Sequence, residues 1–381
     1  MWSLLSVFGY NIFVRNIIDY VNKYGDLSFQ EKPFNNVDVV VFASLVYIEF
    51  EAVAPKHNEP KKAPFYIRDS FPEKLTSNCI DGKKHIKLLN ALKDSKRYKD
   101  VSIQYVLSIF DNTVLVEQFC AMTFDIPDVG YLVAFRGTDN SKEGWEEDIG
   151  TGLTKATSGQ LDSVEYLRIV YKNLKNKHFM ICGHSKGGNL ALYSALYSHE
   201  DVYKNIDKVY SLDGNGFADK SFFDLDSYKY LKDNLISIVP KDSVVGEILY
   251  GLENPIIVQA EGVFIIQHST YFWEVNLEKG DFFYTDRLSF SSRVRHRAIT
   301  KWYDKRTKNQ KLLILYLLFN TENEYKDGVI KTIYENKKTL TKEENAELKG
   351  VFSSFFSYQF EAFFYYLVEA LRTIKKKTFD K

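Results

Sequence analysis

The middle of the chain alternates between two hydrophobic rhythms, and its last quarter keeps only one of them. TVLVEQFCAMTFDI alternates apolar and polar residues, and GYLVAFRG is a short apolar run closed by glycine; both predict strands. SGQLDSVEYLRIVYKNLKN has helical spacing. HFMICGHS then reads as a strand, KGGNLALYSALYSH as a helix, KVYSLDG as a strand and SFFDLDSYKYLKDN as a helix. LISIVPKDS and PIIVQAEGVFIIQHS predict further strands, and FWEVNLEKGDFFY predicts a hairpin about Glu278–Asp281. Strands alternating with helices predict an α/β fold, a mostly parallel sheet covered on both faces.

The flanks are different. NNVDVVVFASLVYIEF, from Asn35, reads as a capped, buried helix. AVAPKHNEPKKAPFYIRDSFPEK has no periodicity and predicts a loop or small cap within about residues 51–95. ALKDSKRYKD reads as a solvated helix. The N-terminal MWSLLSVFGYNIFVRNIIDYVNKYG predicts an amphipathic helix packed on the body, with a shallow membrane contact as the other reading. Its first charge, Arg15, follows the apolar run and no small-residue cleavage site comes after it, so no secretory signal is expected. From about Ser291 the spacing is helical to the end. The aromatic stripe in VFSSFFSYQFEAFFYYLVEALRTIKKK is interrupted by Ser, Gln and Glu, so it is no membrane span. Packing on the core or on a neighbouring subunit is expected; an acyl-chain wall and a peripheral membrane contact are the alternatives. The expected division is a sheet-containing domain over 1–290 and a helical C-terminal extension over 291–381.

Composition removes several classes of partner. Lys plus Arg and Asp plus Glu are 50 each, so no global field draws in nucleic acid or an anionic membrane. Cys79, Cys120 and Cys182 are odd in number and widely spaced, which gives neither a disulfide framework nor metal-ligand spacing. A reducing, cytoplasmic compartment is expected, with no metal and no organic cofactor.

The chemistry concentrates at Gly183-His184-Ser185-Lys186-Gly187, which fits G-x-S-x-G. An apolar strand runs in and a helix runs out. A serine on so tight a turn crowds the residues two before and two after it, which is why Gly183 and Gly187 suit the nucleophile elbow. The Lys186 backbone N–H would then stand at a helix N-terminus, ready to receive an oxyanion. The serine needs a base and a group to orient that base. In this chain order only His199, His268 and His296 follow it. His199 ends the nucleophile's own helix and His296 lies in the basic run RVRHR, which leaves His268, expected in a loop after a strand. His184 is read as packing. Asp242, just past the strand LISIVP, is the preferred acid, with Asp213 in SLDGNGF as the rival; the other role open to Asp213 is to cap the DGNG turn. Thr138, in YLVAFRGTDNSKEGW, is the second expected oxyanion donor; a plain turn with Arg136 in a surface ion pair is the alternative.

These segments together resemble class 3, fungal-type lipases. FRGTDNSKEGWEEDI, with Trp145 and Asp148, resembles the oxyanion-loop segment of that family, and CGHSKGGNLA its elbow. SIVPKDSVV resembles its acid segment and QHSTYFW its histidine segment. The resemblance covers roughly residues 18–290 and is strongest to a bacterial lipase-like branch, including NKYGDLSFQEKPFNNVDVVVFASLVYIEF. It implies an α/β-hydrolase fold and hydrolysis of a small acyl-ester or lipid substrate. Lys186 stands where these lipases usually carry Leu, which suggests an anionic substrate or a salt bridge, and SLDGNGF replaces the usual G-x-P-R-x-G. A non-catalytic binding or regulatory module and an acyltransferase are the alternatives.

Overall fold

A computed structural model describes residues 15–76, 81–111, 117–138, 156–175, 177–307 and 340–347, with positions 310, 349, 350, 354, 357, 358, 361 and 365. Its strands are β1 (Phe65–Tyr66), β2 (Ser102–Asp111), β3 (Glu117–Ile126), β4 (Gly130–Phe135), β5 (Phe179–His184), β6 (Ile206–Leu212), β7 (Leu235–Pro240), β8 (Ile256–Val258), β9 (Val275–Asn276), β10 (Asp281–Phe282) and β11 (Tyr284–Thr285). All but β9 and β10 join one sheet in the order β1-β2-β3-β4-β5-β6-β7-β8-β11. Pairing is antiparallel from β1 to β4, parallel from β4 to β8, and antiparallel again at β11. β9 and β10 pair Asn276 with Asp281, the hairpin expected from FWEVNLEKGDFFY.

Helices cover both faces, as the alternation of the strands requires. They are α1 (Ile17–Tyr24), α2 (Asn36–Leu45), α3 (Pro72–Leu75), α4 (Gly82–Lys93), α5 (Ser158–Asn173), α6 (Lys186–Tyr197), α7 (Glu200–Tyr203), α8 (Asp226–Leu231) and α9 (Phe290–Asp304). On β4, Leu132 and Ala134 enter a core shared with α1, α2 and α4, while Val133 and Phe135 enter one shared with α5 and α6. This is the α/β-hydrolase arrangement: a central sheet, parallel around β5, with the strand-to-helix turn β5–α6 at its middle. No described helix is long and apolar enough to cross a membrane.

One strand carries no reading in the sequence, and two local expectations are corrected. VSIQYVLSIF forms β2; Tyr105 has φ 55° and the pairing slips between Gln104 and Leu107, so a bulge breaks the alternation that would have marked the strand. VFIIQH is no strand, since Phe264–His268 forms a 3₁₀ turn that opens with a positive φ of 59° at Phe264. ALKDSKRYKD is not solvated throughout: α4 ends at Lys93, and Arg97 and Tyr98 are buried.

That buried pair explains why the N-terminal segment is integral to the fold. Asn35 caps α2 in a reciprocal box with Asp38. Arg97 Nη2 and Nε donate to the Asp38 carboxylate at 2.6 and 2.9 Å, and the Tyr98 and Tyr20 hydroxyls also donate to it. Arg97 Nη1 reaches the Lys32 carbonyl at 2.7 Å. Both charged side chains are fully out of water.

The first 14 residues lie outside the described ones, as do Cys79 and most of the C-terminal aromatic stretch expected to be helical. Tyr358 packs on Val294 and Ala298 of α9, Glu361 pairs with Lys301, and the Arg297 guanidinium lies 3.5 Å from the Tyr365 ring centre.

Breaking a buried pair leaves an uncompensated charge. Arg97→Ala is therefore expected to cost about 3–5 kcal/mol in urea unfolding, whereas Arg168→Ala, at an exposed pair with Glu165, should cost less than about 1 kcal/mol.

Candidate active site

Ser185 has φ 59° and ψ −131°, a backbone conformation that side chains seldom adopt and that costs on the order of 1–3 kcal/mol. The surrounding chain enforces it. A Cβ on Gly183 would fall 2.0 Å from the Gly187 carbonyl oxygen, and one on Gly187 would fall 2.2 Å from the Phe135 carbonyl oxygen. Only glycine lets β4, β5 and α6 close this tightly, so the elbow expected of Gly183 and Gly187 is present. The Ser185 N–H donates to the Leu212 carbonyl at 3.0 Å, tying the turn to β6. Lys186 opens α6, and its amide stands at the positive end of that helix.

The loop after β4 reaches the same point. A Cβ on Gly137 would lie 3.1 Å from the Ser185 Cβ, so the turn leading to Thr138 passes directly over Ser185. Arg136 is no surface ion pair. It is mostly buried, pairs with Glu51 at 3.0 and 3.1 Å, and donates to the Val46 and Ile48 carbonyls. It thereby fastens this loop to the chain leaving α2. Trp145 and Asp148 lie outside the described residues.

His268 arrives at the same sheet edge and does not meet Asp242. Its Nδ1 is 2.6 Å from Asp213 Oδ2. Asp213 follows β6, the strand beside the nucleophile strand, and is fully buried. Its other oxygen, Oδ1, accepts from the Ser243 hydroxyl at 2.6 Å and the Gly246 N–H at 3.0 Å. A carboxylate so satisfied holds an Nδ1–H tautomer and leaves Nε2 with a lone pair. No hydrogen bond joins the Ser185 hydroxyl to His268 among the described residues. His199 is exposed at the start of α7, and His296 Nδ1 donates to the Glu247 carbonyl, so neither reaches the elbow.

Asp242, the acid expected from the sequence, has a different occupation. Ser289, Ser291 and Arg295, all at the start of α9, donate to Oδ1, and the Phe264 N–H donates to Oδ2 at 2.8 Å. Its own N–H donates to Gln267 Oε1 at 2.8 Å. Asp242 thus grips the histidine turn at Phe264 and Gln267 and cannot also face the imidazole. Burial works against its ionisation, but the Ser289, Ser291, Phe264 and Arg295 hydrogen bonds outweigh it and bring the carboxyl down to about 2.

One further residue, Gln267, escaped the sequence reading, and the Lys186 side chain does other work than expected. Gln267 is buried and donates to the Ala260 and Gly262 carbonyls, each at 2.8 Å, so it fixes the histidine turn from inside. The Lys186 side chain is also buried; its amine bonds the Gln118 carbonyl and, at 2.8 Å, Gln118 Oε1. It turns into the body and not toward a substrate, which removes the argument for an anionic one.

Some known proteins are similar to this chain. A family model described as Mbeg1-like matches residues 92–320. Among solved structures, the Rhizomucor miehei lipase–propeptide complex is 17% identical, with a TM-score of 0.35 over 58% of this chain and 66% of that one. Lipase II from Rhizopus niveus is 16% identical, with a TM-score of 0.35 over 68% and 83%. A mutant form of MDLA from Penicillium cyclopium is 12% identical, with a TM-score of 0.37 over 71% and 86%. No curated protein matches the sequence.

The Asp242 clamp predicts an acid-sensitive stability. Its folded value lies below that of an unfolded aspartate, near 3.9. Its contribution, roughly 2 kcal/mol, is therefore complete above about pH 4 and lost as pH falls through about 2. Asp242→Asn should be less stable than the parent chain at pH 7, with the gap in unfolding free energy closing over that window.

Proposed function

The chain belongs to the Mbeg1-like family, and from that premise we propose that it is a serine hydrolase of acyl esters, with Ser185, His268 and Asp213 as its triad. The observation that carries this reading is the combination of the Ser185 backbone at φ 59° with a His268–Asp213 hydrogen bond of 2.6 Å at one sheet edge. A structural serine would have no reason to hold so costly a conformation beside a half-buried imidazole bonded to a buried carboxylate.

The mechanism follows from the tautomer. Asp213 accepts the Nδ1–H of His268 and stabilises the imidazolium once it forms. His268 Nε2 takes the proton from Ser185 Oγ as the oxygen attacks the acyl carbonyl carbon. The ring must close on Oγ at this step, a tightening that catalytic hydrogen bonds commonly undergo on substrate binding. The oxyanion is received by the backbone N–H groups of Lys186 and Thr138. Breakdown expels the alcohol, protonated by His268, and leaves an acyl-enzyme. Water, deprotonated by the same ring, releases the acid. Each step uses only protein groups and water.

A fluorophosphonate probe should label Ser185, and p-nitrophenyl esters of increasing chain length should be hydrolysed; Ser185→Ala should abolish both. Asp213→Asn should lower kcat about 10³–10⁴-fold, and Asp242→Asn far less. Failure to label the folded chain would favour a binding module. A near-normal Asp213→Asn beside an inactive Asp242→Asn would return the acid role to Asp242.

A further inference from the structure

We propose that His184 and Tyr47 are positioning residues for His268: the His184 Nε2–H holds the His268 backbone carbonyl, and the Tyr47 hydroxyl fixes the tautomer that does so. The proposal rests on the hydrolase reading above and extends it to two residues outside the triad.

The hydrogen bonds assign the protons. His184 Nε2 lies 2.7 Å from the His268 carbonyl oxygen, which can only accept, so Nε2 carries hydrogen. In a neutral imidazole the other nitrogen then accepts. Tyr47 OH is 3.0 Å from Nδ1 and fills that role as donor. His184 is held neutral. Burial is the larger cause and the neighbouring His268 the next; together they push its pKa down to about 3, against the opposing pull of Asp213 and the bond to the His268 carbonyl. The titratable groups facing it are His268, Asp213 and Tyr47, with the His85 ring stacked behind Tyr47 at 6.2 Å and 18°.

Neutrality matters because the His184 and His268 ring centres are 4.6 Å apart. When His268 takes the proton from Ser185, a second cation beside it would oppose the transfer. A neutral His184 leaves the imidazolium to Asp213 alone.

The anchor is also the reason that a histidine on a 3₁₀ turn can be aimed. His184 is the last residue of β5 and immediately precedes the nucleophile, so its side chain ties base and nucleophile through one residue of rigid strand. Tyr47 is fixed in turn, because Arg136 binds the carbonyls of Val46 and Ile48 on either side of it. The Tyr47 hydroxyl also fills the place of a Gly137 side chain, 2.2 Å from where a Cβ would be. The oxyanion loop, the elbow and the histidine turn are therefore set against one another through Arg136, Tyr47 and His184. A displacement of about 1 Å at such a site can cost on the order of 10²-fold in rate.

His184→Phe keeps a ring but loses both nitrogens, and His184→Gln can place an amide N–H near the Nε2 position. His184→Phe should lower kcat about 10–100-fold, with KM changed less than about twofold, and slow fluorophosphonate labelling in step. His184→Gln should recover most of the loss, and Tyr47→Phe should fall between. In ¹⁵N-histidine NMR spectra of the parent chain, His184 should stay a neutral Nε2–H tautomer from pH 5 to 8. A His184→Phe variant as active as the parent, a His184→Gln no better than His184→Phe, or a His184 that titrates near the ordinary histidine range would each overturn the proposal. If the parent chain failed to label at all, the hydrolase reading alone would fall. A non-titrating Nε2–H His184 would then still support the tie to His268, and a titrating one would overturn it.

Discussion

One backbone conformation governs this structure: Ser185 at positive φ, held by glycines packed against neighbouring main chain. The turn can exist only because β4, β5 and α6 approach closer than any side chain at positions 183 and 187 would permit. That approach requires a parallel sheet with β5 at its centre and a helix leaving directly from the strand's end. The same geometry points the amide at the start of α6, the carboxylate following β6 and the loop following β4 toward a single spot. The elbow is thus a consequence of the sheet and the fixed point from which the site is built.

The elbow was legible in the sequence because its requirement is local: glycines at fixed offsets between an apolar strand and an amphipathic helix. That His268 would stand beside the elbow was legible by elimination, since the pattern put His199 at the far end of the elbow's helix and His296 in a basic helix. The acid was not. Asp213 and Asp242 each follow a strand, and what separates them is the lateral order of β5, β6 and β7 together with the fold-back of the histidine turn. Those are long-range facts, and no spacing along the chain encodes them. One hint was available, because a carboxylate on the strand next to the nucleophile strand has the shorter reach.

Misread polar residues follow a single rule. Arg97, Arg136 and His184 look like surface residues or packing in a linear reading and Lys186 like a contact to an anion, and all are largely buried with carbonyl or carboxylate partners from distant segments. Burying a charge or an imidazole demands partners, and each such residue became a tie between parts of the chain far apart in sequence. Arg97 binds the N-terminal helices to the turn before β2, and Arg136 binds the loop after β4 to the end of α2. Polar residues interrupting an otherwise apolar neighbourhood were the available signal, and periodicity discounts them.

The grip of Asp242 on Ser289, Ser291 and Arg295 bears on where this protein can be divided. A polypeptide ending at Thr285, after the last strand, would keep Ser185, His268 and Asp213. It would nevertheless lose three of the four donors that settle Asp242, and Asp242 is what holds the turn before His268 at Phe264 and Gln267. The start of α9 is therefore tied through Asp242 to the turn that carries His268, and a cut between β11 and α9 would sever that tie.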